Sequence, residues 1–154
     1  MKIPTLGFED DTKIYKIDVA KVQLLQAIEL FIANNFVCAI TLAGASEAVL
    51  SGILTAKGEL TATEQSVKVI ENLRSTSTFE IMENRPKNEI YNLWNGARNT
   101  MKHHNKNEAD FVVVNLFDEA YWFIQRALSN ASKLNIKIEN QQEFENWCIV
   151  NIHL

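Results

Sequence analysis

Residues 36–57 (FVCAITLAGASEAVLSGILTAK) predict a long helix that is buried on most sides. Apolar or small residues recur along one face at alternating steps of four and three, the spacing of a helix face that packs on a core. The opposite side is also mostly apolar, so neighbouring helices should surround this segment. The residues of the regular face are Phe36, Ile40, Ala43, Glu47, Leu50 and Leu54.

Glu47 is the polar exception on that face. A carboxylate inside a protein core needs a cation or hydrogen-bond donors, because otherwise burial raises its pKa until it protonates. The residues just before it are small (AGAS, residues 43–46), which allows a neighbouring helix to come close. The sequence therefore predicts that Glu47 is at least partly buried and has a partner on another helix.

A membrane span is the alternative for this segment, since residues 36–56 contain no lysine, arginine or aspartate. Its serines, threonines, glutamate and many small residues favour the central helix of a soluble bundle instead. Residues 1–13 hold no apolar run before their acidic side chains, so we expect neither a signal peptide nor membrane attachment.

The composition of the 154-residue chain fits one domain with a substantial core, since 47% of its residues are hydrophobic. Its formal charge of −4 argues against a surface that coats nucleic acid broadly, so any anion site must be local. Cys38 and Cys148 lie far apart and form no CxxC pair. That usage argues against zinc and predicts a reducing, cytoplasmic location.

Helical periodicity continues on both sides of the central segment. We expect an N-terminal arm over residues 1–17, then a first helix over residues 18–34 with Asp18 as its N-cap. Gly58 is a natural stop for the central helix. A third helix is expected after Thr61, which forms a capping-box pattern with the glutamate three residues later, and residues 75–83 should be irregular.

Three more helices complete the predicted fold. The fourth starts near Pro86 and dissolves at residues 103–107, and the fifth covers residues 110–134 with an apolar stripe that begins at Val113. A short last helix over residues 140–151 has an Asn140–Glu143 capping pair. The prediction is an all-α, antiparallel four- to five-helix up-and-down bundle, with residues 18–154 as a single domain.

Residues 98–104 (RNTMKHH) are the only dense cluster of basic and titratable side chains. At about 100° per residue, Arg98 flanks the apolar stripe of the fourth helix, and His104 falls back on that stripe if the helix continues. His103 then points away. We therefore expect Arg98 and His104 to approach the bundle interior or a partner subunit, and we predict an ion pair between Arg98 and Glu47.

Structural roles are the alternatives for these residues. Arg98 could only tie two helices together, His104 could be a histidine favoured by a helix C-terminus, and His103 could be solvated. Adjacent histidines diverge on a helix, and no GxSxG or glycine-rich phosphate loop occurs, so we expect no metal, cofactor or triad nucleophile. Trp94 fits the core better than base stacking, whereas Tyr121 or Trp122 is expected at a rim or interface.

The motif resembles a known family. Arg98 and Asn99, followed after four residues by His104, resemble the signature of HEPN domains, the higher eukaryote and prokaryote nucleotide-binding bundles. Residues 41–47, 95–104 and 118–127 are similar to the matching parts of small bacterial HEPN-like proteins. The resemblance covers about residues 18–134. It implies a bundle that dimerises, with two motifs meeting in one cleft.

HEPN domains include metal-independent RNases and non-catalytic members that bind nucleotides, RNA phosphate or partner proteins. For this chain the resemblance implies a homodimer of the binding type, with an endoribonuclease of toxin or defence type as the alternative. In that alternative His104, or else His103, transfers protons and Arg98 holds the phosphate. The resemblance also implies phosphate or substrate contacts for Asn95, Asn99 and Lys102, and an orienting ion pair from Glu47.

Overall fold

The computed structural model describes Gly7, residues 11–76 and residues 84–152, and this part of the chain forms six α-helices and no β-strand. The all-α bundle predicted from the sequence is confirmed. Its helices are α1 (Lys16–Ile32), α2 (Phe36–Ala56), α3 (Ala62–Thr76), α4 (Lys87–Lys102), α5 (Leu116–Lys133) and the short α6 (Gln141–Asn151).

Helices α1, α2 and α5 build the main hydrophobic core. Phe31, near the C-terminal end of α1, is fully buried in an aromatic cluster at one end of these helices. Its ring centroid lies 5.0–5.4 Å from four other rings, so edge and tilted contacts add to the burial of apolar area. Those rings belong to Phe36, Phe117, Phe144 and Trp147.

Helix α2 is the central helix, as predicted. It is long and apolar enough to cross a membrane by length and composition, but it packs against α1 and α5 within the bundle. Its predicted core face is buried except for the half-buried Phe36, and Glu47 is buried with it. The helix ends where expected, because Gly58 adopts a left-handed φ of +73° that a side chain would disfavour.

The predicted capping box starts α3. Thr61 Oγ1 accepts a hydrogen bond from the Glu64 backbone N–H at 3.1 Å, and Glu64 Oε2 accepts one from the Thr61 N–H at 2.9 Å. The helix continues through Thr76, so Ser75 and Thr76, predicted to be irregular, are helical. Residues 77–83 lie outside the described residues, as do residues 1–6 and 8–10 of the predicted arm.

Two predicted caps are wrong. Helix α1 begins at Lys16 after Tyr15, two residues inside the predicted arm, so Asp18 lies in the first turn instead of capping the helix. An acidic side chain is favourable there too, because the helix dipole is positive at that end. Asn140 makes no side-chain cap on α6, since its Nδ2 donates to the Leu25 carbonyl of α1 at 2.9 Å.

The start of α5 is the largest error. The helix begins at Leu116, capped by the Asn115 side chain, and not at residue 110. Val113, predicted in the core stripe, is 93% exposed. Three successive valines at residues 112–114 lose side-chain freedom in a helix, and an asparagine follows that favours a cap, so the helix starts after them.

Candidate functional site

Arg98 points from α4 onto α2. Its Nη1 lies 3.6 Å from Glu47 Oε2 and donates to the Gly44 carbonyl at 3.1 Å. The predicted ion pair is therefore present. Gly44 makes the approach possible, because a Cβ at that position would lie only 2.4 Å from Arg98 Cδ. A charged side chain thus crosses the helix interface with two partners on α2.

Glu47 extends this contact into a chain of hydrogen bonds. Ser51 Oγ donates to Glu47 Oε1 at 2.8 Å, and Asn130 Nδ2 on α5 donates to Ser51 Oγ at 2.9 Å. Asn130 Oδ1 accepts from the backbone N–H of Ala62 at 2.7 Å. The polar network therefore links α4, α2, α5 and the start of α3, and it satisfies the buried carboxylate and the buried amide.

His104 does not approach the interior of its own bundle, and its approach to a partner subunit stays a prediction. Helix α4 ends at Lys102, and His103 has an extended backbone (φ −130°, ψ 144°), which turns the chain away before His104. The His104 side chain is 63% exposed, and its Nε2 lies 3.8 Å from Asp110 Oδ1. Arg98 and His104 consequently face different surroundings, one on α2 and one in the loop.

The two asparagines that were predicted to contact a substrate form hydrogen bonds within α4. Asn95 Nδ2 donates to the Tyr91 carbonyl one turn earlier, at 3.0 Å. Asn99 Oδ1 accepts from Arg98 Nε at 3.3 Å, which helps to orient the guanidinium. Asn95 thus bonds within its own helix, and the Asn99 contact is compatible with a structural role for Arg98.

A small surface pocket of about 290 Å³ holds the rest of the predicted site, namely Lys102, His103 and His104. Glu108 and Asp110 line it as well, so its charges are mixed. The pocket also lies at the C-terminus of α4, where the helix dipole favours cations over anions. Among the described residues, no three or more His, Cys, Asp or Glu side chains are arranged so that they could hold a metal ion.

Hydrogen bonds within the turn at residues 105–108 hold the Glu108 carboxylate in place at this pocket. Asn105 donates to Glu108 from its side chain at 2.7 Å and from its backbone at 2.9 Å. These hydrogen bonds, with a smaller contribution from the two histidines, lower the pKa of the Glu108 carboxyl. The carboxylate therefore stays charged beside the histidines and opposes an anionic ligand.

A larger groove lies between α3, α4 and α5, with a volume of about 760 Å³. Two tryptophans flank it: Trp94 is partly buried and Trp122 is 57% exposed. Polar side chains converge between them, which is typical of ligand sites. The residues that line the groove are Ala62, Gln65, Ser66, Val69, Ile70, Trp94, Glu119, Trp122, Gln125, Arg126 and Ser129.

Arg126 is the positively charged side chain that lines this groove. Its guanidinium stacks 4.3 Å above the Phe123 ring and its Nη2 donates to the Trp94 carbonyl at 3.0 Å. Its buried Nε has no hydrogen-bond partner among the described residues. Burial lowers the pKa of Arg126, and the carboxylates of Glu47 and Glu119 counteract that effect.

Arg98 and Arg126 form one charge cluster with Glu47 and Glu119. Arg98 lies 5.7 Å from the Phe123 ring that Arg126 covers at closer range. Arg98 lowers the pKa of Arg126 through its charge, which is the repulsion expected between neighbouring cations. Two carboxylates balance two guanidiniums, so the cluster is close to neutral.

The role of Arg126 was missed in the sequence, where it entered only as part of a family-like pattern. One signal was available, because Arg126 follows Trp122 by four residues and thus shares a helix face with it. The partner helices α3 and α4 could not be placed from that spacing.

No protein-family model matches the chain, and neither a curated protein nor a solved structure matches it.

Glu119 supplies a test of the charge cluster. Burial raises the pKa of its carboxyl, and the charge of Arg126 only partly counteracts this. The folded protein therefore binds the Glu119 proton more tightly than the unfolded chain does. The ionised Glu119 carboxylate thus lowers the free energy of unfolding at neutral pH. This penalty becomes smaller as the pH falls through the pKa of Glu119 in the folded protein. We expect Glu119→Gln to be more stable than wild type at neutral pH.

The measurement is the free energy of urea unfolding of both proteins between neutral pH and acid. The difference should shrink as the pH falls, because protonated glutamate resembles glutamine. Carboxyls that do not interact with Glu119 titrate equally in both proteins, so their contributions cancel in the difference. A variant that is less stable than wild type at neutral pH would mean that attraction to Arg126 outweighs burial.

Proposed function

We propose that this chain is a HEPN-like, cytoplasmic bundle that binds a nucleotide without catalysis, in the groove between α3, α4 and α5. The observation that carries the proposal is the combination of two tryptophans with Arg126 in one groove. Its volume of about 760 Å³ lies within the range of small-molecule sites, which is roughly 300–1,000 Å³.

The groove residues match the parts of a nucleotide. An exposed tryptophan ring such as Trp122 offers a face on which any base can stack. The amides of Gln65 and Gln125 carry both donors and acceptors, which suit the hydrogen-bonding edge of a base. Arg126 lines the groove with a planar guanidinium, and a phosphate is a natural acceptor for guanidinium N–H groups.

Arg98 has a supporting role in this proposal. Its charge is matched by Glu47, and its proximity adds positive charge beside Arg126. Because the cluster is nearly neutral, we expect modest affinity for the phosphate and a larger contribution from the base. The ligand class that fits is a nucleoside monophosphate.

Nucleotide binding is tested by titrating the wild-type protein with the four common nucleoside monophosphates and with the matching nucleosides, by calorimetry. We expect Trp122→Ala to weaken binding by about 1–3 kcal/mol, roughly 5- to 150-fold in Kd, since that is the range for loss of one base-stacking contact. Because Trp122 is largely exposed, the variant should fold normally.

Phe111→Ala is the matched control, since Phe111 is an exposed aromatic residue outside the groove. It should bind like wild type. Arg126→Lys keeps the charge but loses the planar fork, so it should reduce the preference for the monophosphate over the nucleoside. Equal binding by wild type and Trp122→Ala, or no binding of any probe, would refute the proposal.

An endoribonuclease is the second candidate, and one observation favours it: His103, His104 and Lys102 share a solvent-open pocket. Arg98 does not line that pocket, which weakens the case for a joint action on one phosphate. The test is cleavage of single-stranded RNA by the purified protein in excess chelator. Cleavage that His104→Ala abolishes would establish the nuclease, and an inactive wild type would eliminate it.

A further inference from the structure

Three side chains that line the groove follow one another along one face of α5. Glu119, Trp122 and Arg126 fall within an arc of about 60° around the helix axis, at about 100° per residue. Along that axis Glu119 and Arg126 are about 10 Å apart, since each residue of an α-helix advances by about 1.5 Å, and Trp122 lies between them. The groove therefore offers an acceptor, an aromatic face and a cation in that order.

The Glu119 carboxylate has lost solvent without gaining a hydrogen-bond donor. It is partly buried, and no residue in the described part of the chain donates a hydrogen bond to it. Burial accordingly raises the pKa of this carboxyl. An ionised carboxylate accepts two parallel hydrogen bonds when a partner presents two adjacent N–H groups. A ligand with such a pair of donors would replace the hydrogen bonds to water that burial removes.

We propose that Glu119 makes the groove selective for a guanine base, an inference that rests on the nucleotide-binding function proposed above. The pairing edge of guanine carries two adjacent donors, the N1–H and the 2-amino group, and these match the two oxygens of one carboxylate. The base stacks on Trp122, and the phosphate at the other end of the ligand reaches Arg126. The ligand is guanosine monophosphate.

The other common bases present a mismatched edge to a carboxylate. Adenine and cytosine each carry one amino group beside a ring nitrogen with a lone pair, and the N3–H of uracil lies between two carbonyl oxygens. An acceptor of the base then faces one of the two Glu119 oxygens, and the repulsion opposes binding of that base. The selectivity follows from the ionised carboxylate, which only accepts hydrogen bonds.

The third polar group on the guanine edge is the O6 carbonyl, which requires a donor. The side-chain amides of Gln65 on α3 and Gln125 on α5 line the same groove, and each carries two N–H donors. One of these amides donates to O6 while Glu119 accepts from N1 and the 2-amino group. The lining of the groove thus holds a complementary partner for every polar group on that edge.

The experiment is calorimetric titration of the full chain at neutral pH with the monophosphates of guanosine, inosine and adenosine. Inosine monophosphate differs from the guanosine compound only in lacking the 2-amino group. We expect the guanosine compound to bind about ten-fold more tightly than the inosine compound, since a hydrogen bond to a charged group is worth at least that factor. Adenosine monophosphate should bind most weakly of the three.

Glu119→Gln should reverse the preference. Glutamine carries one acceptor and one donor, which pair with the amino group and a ring nitrogen of adenine, so the variant should bind the adenosine compound more tightly than the guanosine compound. Its urea unfolding shows separately that it is folded. Asp118→Asn is the matched control, because it removes the same charge from the adjacent residue, which is exposed and does not line the groove. It should keep the wild-type order.

Two outcomes separate this inference from the proposed function. Equal affinity of the wild-type protein for the three monophosphates overturns the guanine selectivity and leaves the nucleotide site standing, whereas no binding of any monophosphate overturns both. A Glu119→Gln variant that still prefers the guanosine compound also contradicts the role of Glu119, because the selecting carboxylate is then absent.

Discussion

Replacing Asn130 by alanine is expected to lower the free energy of unfolding by about 2–4 kcal/mol, because it removes two hydrogen bonds and leaves a buried N–H without an acceptor. Asn130 is fully buried and joins the Ala62 N–H of α3 to Ser51 of α2. The loss should also disturb the groove, since Ala62 lines it. Denaturant unfolding followed by circular dichroism measures the effect.

Asn146→Ala is the control for this prediction. Asn146 is exposed on α6, and its side-chain oxygen accepts a hydrogen bond from a glutamine on the same helix. Its replacement should change stability by less than about 0.5 kcal/mol, as is usual for surface positions. If Asn130→Ala were equally mild, the polar network would contribute nothing to holding α3 on the bundle.

Replacing Gly44 by alanine is expected to destabilise the protein by about 1–3 kcal/mol, the usual cost of overpacking. The added Cβ would lie 2.4 Å from Arg98 Cδ and 2.9 Å from Arg98 Cγ, so the arginine must leave its position. It then loses the Gly44 carbonyl and its place beside Glu47, and a buried carboxylate is left unpaired.

Gly52→Ala provides a matched control on the same helix. A Cβ at Gly52 meets nothing within 4 Å, so the change should stabilise α2 by up to about 1 kcal/mol through helix propensity. The two substitutions are chemically identical and should have opposite signs. Equal effects would contradict the account in which close contact with Arg98 requires glycine at residue 44.

The central part of the fold was predictable because its signals are local. The regular apolar face of residues 36–57, the glycine after it and the Thr61–Glu64 capping box each follow from a few neighbouring side chains. Even the ion pair of Arg98 with Glu47 could be anticipated. A carboxylate on a core face requires a partner, and few cations flank a core stripe.

The errors have a common physical origin, which is competition between periodicity and local preference. Periodicity alone extended α5 back to residue 110, although three valines and the Asn115 cap set its start at Leu116. The end of α4 at Lys102 agrees with the expected loss of helix at residues 103–107, so only the placement of His104 on the helix stripe, which required a longer helix, failed. The groove around Arg126 depends on how three helices pack, and no spacing along the chain specifies that arrangement.

The most direct test of the account is nuclear magnetic resonance of the ¹⁵N-labelled protein, titrated with a nucleoside monophosphate. The account predicts shifts of the Trp94 and Trp122 indole N–H groups and of the α3 amides that line the groove, over residues 62–70, while residues 102–112 stay unchanged. Shifts confined to residues 102–112, or no shifts at saturating nucleotide, would contradict it.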